Sequence, residues 1–113
     1  MSTQPADSLR LCSLDELPDP GSRGFDIDGI KLFAVCHQGQ VRLYLNRCPH
    51  RGIPLEWQPD SFLDSSGQLI QCATHGALFL PESGECIAGP CSGQSLQSLH
   101  HEVHDNALWW RRN

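Results

Sequence analysis

Two short stretches of this chain carry residues able to do chemistry together. Cys48-Pro49-His50 and Cys72-Ala73-Thr74-His75-Gly76 each offer one thiolate and one imidazole within a few positions, and residues 51–71 lie between them. Brought side by side, the two loops present Cys48, His50, Cys72 and His75 as two sulfur and two nitrogen donors. That set suits a tetrahedral zinc ion. It also suits a [2Fe–2S] cluster with two Cys on one iron and two His on the other. The short spacers let Cys and His point from one turn toward neighbouring metal ions, and Gly76 lets the backbone pass close by.

The elements that must hold these loops read as short strands. Residues 9–14 alternate apolar and polar side chains, as a half-buried strand does. Residues 15–24 contain two Pro and two Gly and read as a loop. Strand patterns follow at residues 24–27, 30–37 and 41–45, joined at Asp28-Gly29 and Gln38-Gly39, where Gly accepts a turn at positive φ. The last of these strands delivers the chain into the Cys48 loop. Residues 51–71 are mostly polar. Residues 69–71 lead into the Cys72 loop, residues 77–80 lead out, and residues 85–87 return after a turn at residues 81–84. A final hairpin is expected from residues 96–104 and 107–110 about Asp105-Asn106. No segment shows a 3.6-residue apolar period, so the class is all-β, a small sandwich or partly open barrel.

The chain has 113 residues and a formal charge of −5, enough for one domain over residues 1–113 and without a basic patch for nucleic acid. An acidic carrier suits a partner with a basic docking face and salt-sensitive steering. No apolar run is long enough to cross a bilayer, and residues 1–7 have neither the basic region nor the apolar core of a signal peptide. A cytoplasmic protein without a membrane partner is expected, and in that compartment metal ligation explains Cys48 and Cys72 better than disulfides do. Cys12 and Cys36 fall on strands and read as small core residues, while Cys86 and Cys91 read as packing near the loops. His100 and His101 face opposite sides of a strand, so with His104 they are expected on the surface and not as a metal site. His37 is expected to be solvated. Of Trp109 and Trp110, one should point inward and one outward. Arg47 and Arg51 flank the first loop and read as solvated charges.

The ligand pattern resembles the Rieske family, in which Cys-x-His is followed by Cys-x-x-His-Gly. The likeness extends to Phe79 in a His-Gly-x-x-Phe run, to Gly84-x-Cys86 and to Gly89-Pro90. It implies stacked antiparallel sheets, with a cluster-binding subdomain at approximately residues 46–92. It further implies a [2Fe–2S] cluster with Cys48 and Cys72 on the inner iron and His50 and His75 on the outer, near-surface iron. Pro90 matches the loop that covers the cluster. Charge counting explains the mixed ligands. Two ferric ions and two sulfides leave two positive charges, which two thiolates neutralise and four would overshoot. A neutral cluster takes an electron more readily, so His in place of Cys raises the potential.

Two departures narrow the likeness. Respiratory-chain Rieske proteins carry an extra Cys in each ligand loop, forming a disulfide between them; here Ile53 and Ala73 stand in those neighbourhoods. Those proteins also place a Ser and a Tyr after the second His, where this chain has Ala77 and Phe79, whose side chains donate no hydrogen bond. The expectation is a ferredoxin-type one-electron carrier between a flavin-dependent reductase and an oxygenase or other terminal acceptor, with no turnover of its own. The alternatives are a Rieske-type small subunit or regulatory domain of a larger oxidoreductase, and a structural zinc module for protein binding.

Overall fold

The first strand, β1 (Ser8–Ser13), carries a bulge between Arg10 and Cys12, so Cys12 is buried although Arg10, two positions earlier, is exposed. The computed structural model describes residues 8–49, 55, 60–73, 76–91 and 93–111. Ser13 ends β1 by capping a single 3-10 turn, Leu14–Glu16, and Glu16 returns a hydrogen bond to the Ser13 N–H at 2.9 Å. Strands β2 (Gly21–Ile27), β3 (Ile30–His37) and β4 (Gln40–Leu45) follow as a meander. The expected loop over residues 15–24 is therefore shorter than its Pro and Gly content implied. Gly21 to Arg23 already pair with β3, opposite Cys36, Val35 and Ala34.

Three two-residue turns give this part of the chain its register. Asp28 and Gly29 lie at φ 53° and 83°, Gln38 and Gly39 at 52° and 77°, and Asp105 and Asn106 at 55° and 56°. Two successive positive φ values give the turn whose twist matches that of the flanking strands. Asp26 secures the first turn by accepting the Gly29 N–H at 3.1 Å. Beyond β4 come β5 (Ile70–Gln71), β6 (Leu78–Phe79), β7 (Cys86–Ala88), β8 (His101–His104) and β9 (Ala107–Arg111). Residues 97–99 do not extend β8 as the sequence pattern implied. They run along the edge of β4 instead, where the Leu45 N–H donates to Gln97 O and the Leu99 N–H to Leu43 O, each at 2.9 Å.

The strands form three antiparallel sheets in the orders β1-β9-β8, β2-β3-β4 and β5-β6-β7. Among the described residues there is no α-helix, and no helix is long and apolar enough to cross a membrane. Side chains on a strand alternate between faces, and β3 shows how both faces are used. Leu32, Ala34 and Cys36 join Cys12, Leu17, Leu43, Leu108 and Trp110 in one buried cluster. Phe33 and Val35 join Tyr44, Phe62, Ile70, Phe79 and Leu96 in another. The sheet β2-β3-β4 is thus the central layer, which is why residues 32–36 are buried without interruption. Trp110 points into the first cluster, while Trp109 turns out and stacks on the His104 ring at 4.7 Å between centroids.

Residues 60–69 are better ordered than a polar run would indicate. Phe62 stacks on Phe33 with centroids 4.3 Å apart and planes 4° from parallel. Asp60 accepts the Gly24 N–H on its carboxylate at 2.8 Å, and its carbonyl accepts the Ser22 hydroxyl at 2.8 Å. His37, expected to be solvated, meets Gln68 Oε1 at 2.9 Å. His101, expected on the surface, is half-buried, with its ring nitrogens 3.1 and 3.0 Å from the carbonyl oxygens of Leu99 and Val41.

Candidate functional site

The first candidate loop grows out of β4. After Leu45 the Asn46 N–H donates to Lys31 O at 2.9 Å, which carries the pairing with β3 one step past the strand. The Arg47 N–H then turns back to Leu45 O, and Cys48 follows with no exposed surface. Arg47 itself is exposed, as expected of a flanking charge. Asn46 is the single polar side chain in the buried set of the described residues, at 6% exposure. Its Oδ1 accepts the Leu55 N–H at 2.8 Å, nine positions along the chain. Because that partner can only donate, the atom facing it must be the amide oxygen.

The second loop is the tip of the β5-β6 hairpin. The Cys72 N–H donates to Ala77 O at 2.9 Å and the Gly76 N–H to Cys72 O at 2.8 Å, closing the turn at its base. Gly76 takes φ 69°, and a Cβ there would meet no atom of the described residues within 4 Å. The backbone angle alone favours glycine at this position. Cys72 and Ala77 are fully buried. The two loops are linked through Leu55, whose N–H donates to Asn46 Oδ1 before the first loop and whose carbonyl accepts the Ala73 N–H of the second, each at 2.8 Å.

A third segment closes over them. β7 pairs Cys86 with Phe79 and Ala88 with Leu78, and the chain then turns at Gly89 with φ 102°. Close approach is real here: a Cβ on Gly89 would lie 2.8 Å from Ala77 Cα. The Cys91 thiol donates to Cys86 Sγ at 2.8 Å and the Cys86 thiol to Ala88 O at 3.3 Å. Burial above all, then the hydrogen bond and charge of Cys86, pushes the Cys91 thiol up to about 12.

Cys48, Leu55, Cys72, Ala77, Cys86 and Cys91 thus share one buried cluster. The structure brings Cys48 and Cys72 into it, and it also holds Cys86 and Cys91 there as the sequence implied. His50 and His75, Arg51 and Ile53 lie outside the described residues. Cys12 and Cys36 sit in the other cluster, where burial raises both thiols above their ordinary values. Asn46 and Leu55 were not singled out by sequence; the available signal was a polar side chain at a strand end two positions before a candidate ligand.

Two fully buried sulfurs, on loops tied to each other and covered by a third, form a donor set that fits soft metal chemistry. A [2Fe–2S] cluster needs such paired thiolates. Comparison with known proteins agrees. The family model described as the Rieske [2Fe-2S] domain matches residues 7–101. The ferredoxin of carbazole 1,9a-dioxygenase from Nocardioides aromaticivorans IC177 has a similar fold, with a TM-score of 0.76 at 21% identity over 96% of this chain and 100% of that one. The terminal oxygenase of carbazole 1,9a-dioxygenase from Novosphingobium sp. KA1 gives 0.78 at 17% identity, over 94% of this chain and 30% of that one. In sequence, the oxygenase component of chloroacetanilide N-alkylformylase from Rhizorhabdus wittichii (strain DC-6 / KACC 16600) is 45% identical over 53 residues, 47% of this chain. The chain spans only 14% of that relative's length. With a family match that takes in both candidate loops and the segment covering them, this chain belongs to the Rieske [2Fe–2S] domain family, and its cofactor is a [2Fe–2S] cluster.

Proposed function

We propose that this chain is a one-electron carrier, taking electrons from a flavin-dependent reductase and passing them to an oxygenase or another terminal acceptor. In this reading Cys48 and Cys72 hold the inner iron, and His50 and His75 hold the outer iron through which electrons enter and leave. Residues 46–92 form the cluster-binding part of a single domain. The observation that carries the proposal is the burial of Cys48 and Cys72 in one cluster, on loops bonded to each other through Leu55 and Ala73. When bound, the cluster supplies a site that gains and loses one electron. The chain's own residues exclude water from the two sulfurs and fix the loop spacing.

Ala77 and Phe79 set an expectation for the potential. Both are fully buried beside the second loop, and neither side chain donates a hydrogen bond to stabilise added charge. The potential should lie toward the low end of the Rieske range of about −150 to +300 mV. A redox titration followed by visible absorption tests this, and a midpoint well above zero would refute it.

The identity of the metal is tested by iron, sulfide and zinc analysis of anaerobically purified protein, with electron paramagnetic resonance after dithionite reduction. Two irons and two sulfides per chain with the signal of a His-ligated cluster are expected. A colourless protein holding one zinc would overturn the proposal. Cys48→Ser and His75→Ala should each abolish the reduced-state signal, and an unchanged signal in either would remove that residue from the ligand set. A second reading has its own support in the 45% identity to part of an oxygenase component. In it the same domain serves as a small subunit or regulatory domain of a larger oxidoreductase. Turnover of a separate oxygenase by the purified chain and a reductase favours the carrier, whereas fixed-stoichiometry co-purification with a large enzyme favours the subunit.

A further inference from the structure

Two hydrogen bonds pass in series through the Leu55 residue and connect the two ligand loops to the central sheet. The Asn46 backbone is pinned to β3 through its N–H and Lys31 O at 2.9 Å. The Asn46 side chain, 6% exposed, accepts the Leu55 N–H at 2.8 Å. Leu55 in turn accepts the Ala73 N–H on its carbonyl at 2.8 Å, and Ala73 is bonded covalently to Cys72. The Leu55 side chain is fully buried in the cluster that contains Cys48 and Cys72, so the peptide bearing these bonds has little room to shift. No disulfide joins the described cysteines, and this hydrogen-bonded path is the direct link the structure shows between the loops.

We infer that Asn46 is a positioning residue that sets the spacing of the two ligand loops, and through it the retention and electronic signature of the cluster. The inference rests on the ligand assignment made above. Asparagine has the properties the position needs. Its oxygen accepts as a carboxylate would, without burying a charge, and it is long enough to reach Leu55 from the strand end. A buried N–H that loses its acceptor is costly, and partners of this kind just outside a metal's ligands typically alter metal affinity by about 10–100-fold.

The test uses full-length holo-protein. Asn46→Ala removes the acceptor, and Asn46→Asp restores an oxygen at the same reach. Asn46→Ala is expected to lose its visible absorption to a strong iron chelator about tenfold faster than the parent or more, and to show shifted or broadened g values. Asn46→Asp keeps the acceptor but buries a charge, so it should return the g values toward the parent while restoring the bleaching rate only in part. Identical g values in parent and Asn46→Ala would overturn the inference whatever the bleaching rates, because a residue serving only general stability would speed cluster loss and leave the spectrum unmoved. If Asn46→Ala does not accumulate as holo-protein, hydrogen exchange of the parent decides. Leu55 and Ala73 amides protected as strongly as those of β3 support the inference, and exchange of either at the rate of an exposed loop overturns it. A parent without iron and sulfide would overturn the ligand assignment and this inference together, whereas an iron–sulfur parent with an indifferent Asn46→Ala overturns this inference alone.

Discussion

Tyr44 shows how much one side chain can contribute beside the site. It is 1% exposed, lies 5.7 Å from Phe33 between ring centroids, and donates its hydroxyl proton to Pro81 O at 2.6 Å. Burial raises its phenol from 10 to about 12. The folded-state value lies above the unfolded one, so the stabilisation is complete below pH 10 and is lost as pH rises through about 12. The full loss corresponds to about 2–3 kcal/mol. Tyr44→Phe should cost about 1–2 kcal/mol at pH 7, because the Pro81 carbonyl loses its donor. The same variant should show a shallower fall in stability between pH 10 and 12. Urea unfolding at a series of pH values measures both, and parallel alkaline profiles for the two proteins would contradict the assignment to Tyr44.

At the scale of elements, what was legible in the sequence was what local chemistry decides. Asp28-Gly29, Gln38-Gly39 and Asp105-Asn106 announce their hairpins because each pair contains Gly, Asp or Asn, which accept positive φ, and all three turns adopt it. Ile30–His37 reads as a strand from its apolar run, and it forms one over the same residues. The features that local pattern does not encode were the long-range ones. Phe62 is a single aromatic in a polar run until it meets Phe33, and Asp60 is an ordinary loop acid until it reaches Gly24 and Ser22. The cysteine spacing singled out Cys48 and Cys72, which the structure buries in one cluster, but the Asn46–Leu55–Ala73 link is a tertiary arrangement that spacing cannot express. The resemblance likewise marked both Gly76 and Gly89 without separating their roles. Gly76 supplies a backbone angle, whereas Gly89 supplies an angle and an absent side chain against Ala77. Gly89→Ala should therefore destabilise the protein by about 1–3 kcal/mol and lift the covering loop from the second ligand loop. Thermal melting and chelator bleaching of the holo-protein should both register it. An unchanged melt would mean that Ala77 moves aside freely, which its complete burial argues against.

At the scale of the whole molecule, the central sheet separates two cores, only one of which contains the candidate cluster cysteines. On one face Leu32, Ala34, Cys36 and Leu43 pack with Cys12, Leu17, Leu108 and Trp110, a set containing neither candidate cluster cysteine. On the other face Phe33, Val35 and Tyr44 pack with residues that include Cys48 and Cys72 themselves. The small sheet β5-β6-β7 on that side has strands of two, two and three residues, too short to be stable by themselves. Its order must come from packing Ile70, Phe79 and Cys86 against Phe33, Val35 and Tyr44, together with what its loops bind. Removing the iron with chelator and reductant should therefore leave β1 to β4, β8 and β9 protected from hydrogen exchange while β5 to β7 and the residue 46–91 loops lose protection. The apo-protein should keep most of its β circular dichroism and unfold in two steps where the holo-protein unfolds in one. Loss of protection at the same rate across both faces would show that the two cores are one cooperative unit. Unchanged protection of β5 to β7 would show that Phe62, Ile70, Phe79 and Leu96 hold the small sheet without help from the metal.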